Sequence, residues 1–66
     1  MEPSSREVAR IESQGVIAVV EWEPKTDGYN VTVTGRGITH TYHEIPYIAA
    51  ALHQAVDGIL TVQTHG

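Results

Sequence analysis

The apolar residues of this chain change their spacing once, near Ile45, and that change decides the fold class. Before it, apolar residues alternate with polar ones, as they do in strands that bury one face. After it, they recur every three or four residues, as they do along one side of a helix. The sequence therefore predicts an α+β domain in which strands come first and a helix comes last.

The strand region divides into three segments. A strand over residues 16–23 is rich in β-branched residues and stops before Pro24, which cannot donate a hydrogen bond to a ladder. A turn over residues 24–28 leads into a second strand over 29–34, and a glycine-rich turn leads into a third over 38–42. We expect these three strands to form an antiparallel meander.

The helical spacing begins at Ile45 and predicts an amphipathic helix packed on one face of the meander. Pro46 suits the first turn, and Gly58 suits the position just after the last turn. Residues 61–66 are then a polar tail or a further short strand. The predicted apolar stripe consists of Ile45, Ile48, Ala49, Leu52, Val56 and Ile59, and the strand residues that it covers are Val20, Trp22, Val31 and Val33.

Residues 4–14 fit two different structures. Ser4 and Glu7 have the spacing of a capping box, which favours a short N-terminal helix and the element order αβββα. The alternation around Ile11, followed by turn residues up to Gly15, favours instead a strand that pairs with the next one. The helix is the preferred interpretation.

Length and composition limit the chain to one small domain, residues 1–66, with disordered ends expected at 1–5 and 61–66. A chain of 66 residues buries only about 60% of the surface that its unfolded form exposes. Hydrophobic burial in such a chain barely exceeds the loss of chain entropy. We therefore expect either self-association or a state bound to a partner.

The absence of cysteine excludes a disulfide framework, a thiolate metal site and a cysteine nucleophile. No apolar run approaches the roughly 18 residues that a membrane span requires, and the N-terminus has no basic segment typical of a secretion signal. These features predict a cytoplasmic protein that does not interact with membranes.

Four histidines are the unusual feature of the composition, because imidazole is a common metal ligand and a common acid or base. His40 and His43 face opposite sides of a regular strand, and His53 lies off the predicted apolar stripe, so the spacing favours surface or partner-contact histidines. A metal or catalytic pair and a pH-sensitive interface are the alternatives. No catalytic set or cofactor site can be assembled, and we predict that the chain is not an enzyme. The four residues are His40, His43, His53 and His65.

Nucleic-acid binding is the alternative function. The order αβββα is that of double-stranded RNA-binding domains, and Lys25 and Arg36 lie near exposed aromatic residues. A net charge of −4 argues against it, and no lysine cluster precedes the last helix.

The strand over 16–23 carries apolar residues on both of its faces. Ile17 and Val19 lie on the face whose neighbours in the next strand are polar, and such a cluster is costly unless something covers it. A protein interface would cover it, and so would the N-terminal helix within the monomer. The predicted interface comprises Ile17, Val19, Glu21, Trp22, His40 and His43.

A hairpin segment, Asp27-Gly28-Tyr29-Asn30-Val31-Thr32-Val33, is followed by a third strand and by an alanine-rich helix over 49–56. In this arrangement residues 16–60 resemble the small domain of HicB-type antitoxins. The family's Pro-Gly-Cys stretch is replaced here by Gly35-Arg36-Gly37-Ile38, and its C-terminal DNA-binding segment is absent. The resemblance implies a module that sequesters a protein partner. We predict an acidic protein-interaction module, antitoxin-like or a phage-type inhibitor, that also forms homo-oligomers.

Overall fold

The computed structural model describes residues 6–65, with side chains placed through residue 64. Its four strands form one antiparallel sheet in the order of the chain, and a single helix follows them. The elements are β1 (Arg6–Ser13), β2 (Val16–Glu23), β3 (Gly28–Gly35), β4 (Ile38–Ile45) and α1 (Ile48–His65). The fold class α+β is confirmed, but the predicted three-stranded αβββα arrangement is wrong.

The first segment is a strand rather than a helix. Gln14 and Gly15 both have positive φ, 52° and 81°, which is the two-residue turn that suits the twist of a hairpin. Ser13 therefore pairs with Val16, and β1 runs antiparallel to β2 with a β-bulge between Glu7 and Ala9. The proposed cap at Ser4 lies outside the described residues, as does the rest of 1–5.

The predicted strands over 16–23 and 29–34 are confirmed as β2 and β3. The third predicted strand, 38–42, continues to Ile45, because a second bulge near Glu44 lets it pair as far as Tyr29. Glu44 has a φ of 57°, and its backbone N–H donates to Asn30 Oδ1 at 3.3 Å.

The helix packs on one side of the sheet, which we call the inner face, and lies mainly over β2 and β3. Alternate residues of β2 point to this face and are fully buried there, as the sequence predicted for Val20. The opposite side, the outer face, has no described element upon it. The buried core consists of Val16, Ala18, Val20, Val31, Val33, Ala51, Ala55, Ile59 and Val62.

The helix presents a different side to the sheet from the one predicted. Its contact residues are small: Ala51 and Ala55 are fully buried, and Gly58 lies inside the helix instead of ending it. A β-carbon on Gly58 would stand 2.7 Å from Val33 Cγ2, so the helix comes close enough to the valines of the sheet to leave no room for a larger residue. The helix also continues to His65, through most of the predicted polar tail.

Candidate protein-interaction surface

Four large apolar side chains of the helix remain exposed because small residues occupy its buried side. They recur every fourth residue and form a continuous row, which we call the helix stripe. Three of them, Ile48, Leu52 and Val56, belonged to the predicted core stripe, so that assignment is wrong for them, although it is right for the buried Ile59. The helix stripe consists of Ile48, Leu52, Val56 and Leu60, with exposed fractions of 40%, 37%, 47% and 55%.

Two contacts fix the direction in which the helix stripe points. Gln63 Nε2 donates to the backbone oxygen of Ser13 at 3.1 Å, so that side of the helix overlooks β1. Leu52 and Val56 precede Gln63 by about three turns and two turns, which places all three on the same side. On the other side, Gly58 lies near Tyr42 of β4.

The inner face of β1 continues this apolar surface. Ala9 and Ile11 are only partly buried, and they pack at the margin of the core because the helix lies over β2 and β3. Together with Leu52, Val56 and Leu60 they form what we call the β1-side surface. It joins the helix stripe to the edge strand of the sheet.

The outer face carries the apolar pair that the sequence analysis emphasised. Ile17 and Val19 lie opposite Thr34 and Thr32 of β3, and their neighbours in β1 are Glu12 and Arg10. Both are partly buried. Since residues 6–13 are a strand in the same sheet, the described part of the chain offers no N-terminal helix to cover them.

The six predicted interface residues do not share one surface. Glu21 lies opposite Asn30 on the outer face, with Ile17 and Val19. Trp22 lies on the inner face, half-buried, and its indole Nε1 donates to Asp27 Oδ1 at 3.2 Å. His40 is also on the inner face and stacks on Tyr42, with ring centroids 6.4 Å apart, while the exposed His43 lies next to the bulge in β4.

The candidate charge and metal sites are likewise dispersed. Lys25 and Arg36 occupy turns at opposite ends of β3, which are about 26 Å apart for eight extended residues. They therefore do not form one basic cluster. His53 is exposed on the helix, away from His40 and His43. Within the described residues, no group of three or more His, Cys, Asp or Glu side chains is placed to hold a metal ion.

Sequence reasoning missed the helix stripe as a surface, although a signal for it was present. Ala51, Ala55 and Gly58 recur at helical spacing and mark the side of the helix that can approach a sheet most closely. Ranking residues by hydrophobicity alone instead assigned the larger neighbours to the core.

Comparison of the chain with protein-family models, with curated proteins and with solved structures finds no match. Among residues 6–65, no helix has both the length and the apolar character needed to cross a membrane.

Proposed function

We propose that this chain is a small acidic protein-interaction module that binds a protein partner on its β1-side surface and thereby sequesters or inhibits it. The observation that carries the proposal is the helix stripe, four large apolar side chains in one row with exposed fractions of 37% to 55%. Isolated exposed apolar residues are ordinary, whereas a contiguous row of them next to further apolar surface is typical of a binding site.

Burial of the helix stripe by a bound protein is energetically favourable. Covering the exposed half of a leucine, isoleucine or valine side chain contributes roughly 1 kcal/mol, so the four residues together contribute a few kcal/mol toward association. Exposing them contributes nothing to the stability of the monomer.

The sequestering or inhibiting mode is supported by the resemblance of residues 16–60 to HicB-type antitoxins, a segment that contains β2, β3, β4 and most of α1. The proposed compartment is the cytoplasm, which suits a chain that contains no cysteine.

Site-specific photo-crosslinking in the native host tests this proposal. A photoreactive amino acid at Val56 is expected to capture one protein of defined mass, because this position lies in the middle of the helix stripe. The matched control is Thr61, which is exposed on the same helix but lies five residues, about 140° around the helix axis, from Val56. Mass spectrometry of the adducts identifies the captured protein and its mass.

A second variant tests whether the stripe itself makes the contact. Adding Leu60→Lys to the Val56 crosslinking chain is expected to abolish capture and to leave the melting temperature nearly unchanged, since Leu60 is 55% exposed. Equal capture from Thr61 and Val56, or capture of no protein from either position, would contradict the proposed function.

A further inference from the structure

The outer edge of β1 has no pairing partner among the described residues. The geometry of the β1–β2 hairpin determines which backbone N–H and C=O groups of β1 point toward this open edge. Ser13 and Val16 flank a two-residue turn, and such residues form a hydrogen-bonded pair. Because hydrogen-bonded and non-hydrogen-bonded pairs alternate, the N–H and C=O groups of Ile11 point toward β2, and those of Arg10 and Glu12 point toward the open edge.

We propose that a second copy of this chain pairs with this edge, β1 against β1, antiparallel and centred on Ile11. In this register Arg10 lies opposite Glu12 of the second copy, and Glu12 lies opposite Arg10 of the second copy. All the outward backbone groups of these residues are satisfied, and two pairs of opposite charge face each other across the twofold axis.

The neighbouring registers of the β1–β1 pair do not place opposite charges across from each other. Centring the pair on Arg10 sets arginine opposite arginine, and centring it on Glu12 sets glutamate opposite glutamate. A shift by one residue pairs inner-face positions with outer-face positions and leaves the outward backbone groups without partners. The bulge between Glu7 and Ala9 lies at or beyond the end of the paired segment, residues 9–13, and does not interrupt it.

The dimer would be an eight-stranded sheet with both helices on the same face. Each helix axis lies about two strand spacings from the twofold axis, so the two axes stand about 19 Å apart. Ile11 meets Ile11 of the second copy between them, and the two helix stripes face each other without touching. The inference rests on the proposed function for the role of the stripes, which line the groove between the two helices in this dimer.

Charge reversal tests the register, with light scattering of the whole chain over a concentration series as the measurement. The wild type is expected to have twice the 7.2 kDa mass of the chain. Arg10→Glu places glutamate opposite glutamate, and Glu12→Arg places arginine opposite arginine, so each single variant is expected to have the mass of a monomer. The double variant R10E/E12R restores both pairs and is expected to regain the dimer mass.

Mixing the two single variants is the sharper experiment. An equimolar mixture of R10E and E12R brings every reversed residue opposite one of unlike charge, so the dimer mass is expected to return, even if either variant alone is poorly folded. Lys25→Glu is the matched control, because it changes the net charge as R10E does but lies in the β2–β3 turn. It is expected to remain dimeric.

A monomeric wild type would overturn the dimer, as would single variants that stay dimeric or a mixture that stays monomeric. These failures are distinguishable from failure of the proposed function. If a monomeric chain captures another protein from Val56, the result supports the partner-binding surface and contradicts the dimer. If the chain forms a dimer with the predicted charge dependence but captures no other protein, the result supports the dimer and contradicts the proposed function.

Discussion

Replacing Ile59 with alanine is expected to lower the free energy of unfolding by roughly 2–5 kcal/mol. Ile59 is only 4% exposed and belongs to the core formed between the helix and the valines of the sheet. A domain of 66 residues has a total stability of roughly 3–10 kcal/mol, so this single truncation removes a large part of it. Urea denaturation followed by far-ultraviolet circular dichroism measures the change.

The next residue along the helix provides the control for this prediction. Leu60 is 55% exposed, and Leu60→Ala is expected to change the free energy of unfolding by no more than about 0.5 kcal/mol. Equal losses from the two alanine variants would contradict the orientation of the helix on the sheet. A large loss from Leu60→Ala alone would show that the helix stripe is buried, by the sheet or by a second copy.

Local patterns were sufficient for the middle of the sheet. β2 and β3 alternate in hydrophobicity, and the turn between them carries its positive φ at Asp27, so the hairpin is specified by residues close together in the sequence. Val20, Val31 and Val33 were predicted to lie under the helix, and all three are fully buried.

The first strand could not be decided locally because its two readings use the same residues. Glu7 has the spacing of a capping box, but in the structure its carboxylate accepts a hydrogen bond from Arg10 at 3.1 Å across the bulge of β1. What selects the strand is the ladder with β2, which follows from the Gln14-Gly15 turn. The predicted N-terminal helix would use the same residues, so it cannot form while they pair with β2.

The interface prediction was limited by the same lack of three-dimensional information. Ile17 and Val19 were correctly recognised as apolar residues on a face of β2 that the helix does not cover. Trp22 was also predicted to lie under the helix, and the register confirms that inner-face position; His40 lies on the inner face as well, so neither shares a surface with Ile17 and Val19. The rotation of the helix, which creates the β1-side surface, depends on how closely it approaches the sheet and cannot be read from its hydrophobicity.

Gly58 determines that approach, and replacing it with alanine is expected to destabilise the protein by up to about 2 kcal/mol. Alanine is the better helix former by about 1 kcal/mol, and at an exposed site the substitution would stabilise the helix. Here the new methyl group would stand 2.7 Å from Cγ2 of Val33, a fully buried residue. Overpacking of this kind costs about 1–3 kcal/mol and outweighs the gain in helix propensity.

A double-mutant cycle separates the clash from a general sensitivity of the helix. Val33→Ala alone loses buried methyl groups and is expected to destabilise the fold, but in V33A/G58A it also removes the atom that the new methyl group meets. The double variant is therefore expected to be more stable than the sum of the two single losses predicts, by about 0.5–3 kcal/mol. Strictly additive losses, measured by urea denaturation, would mean that Gly58 and Val33 are not in contact and that the small-residue side of the helix does not set its distance from the sheet.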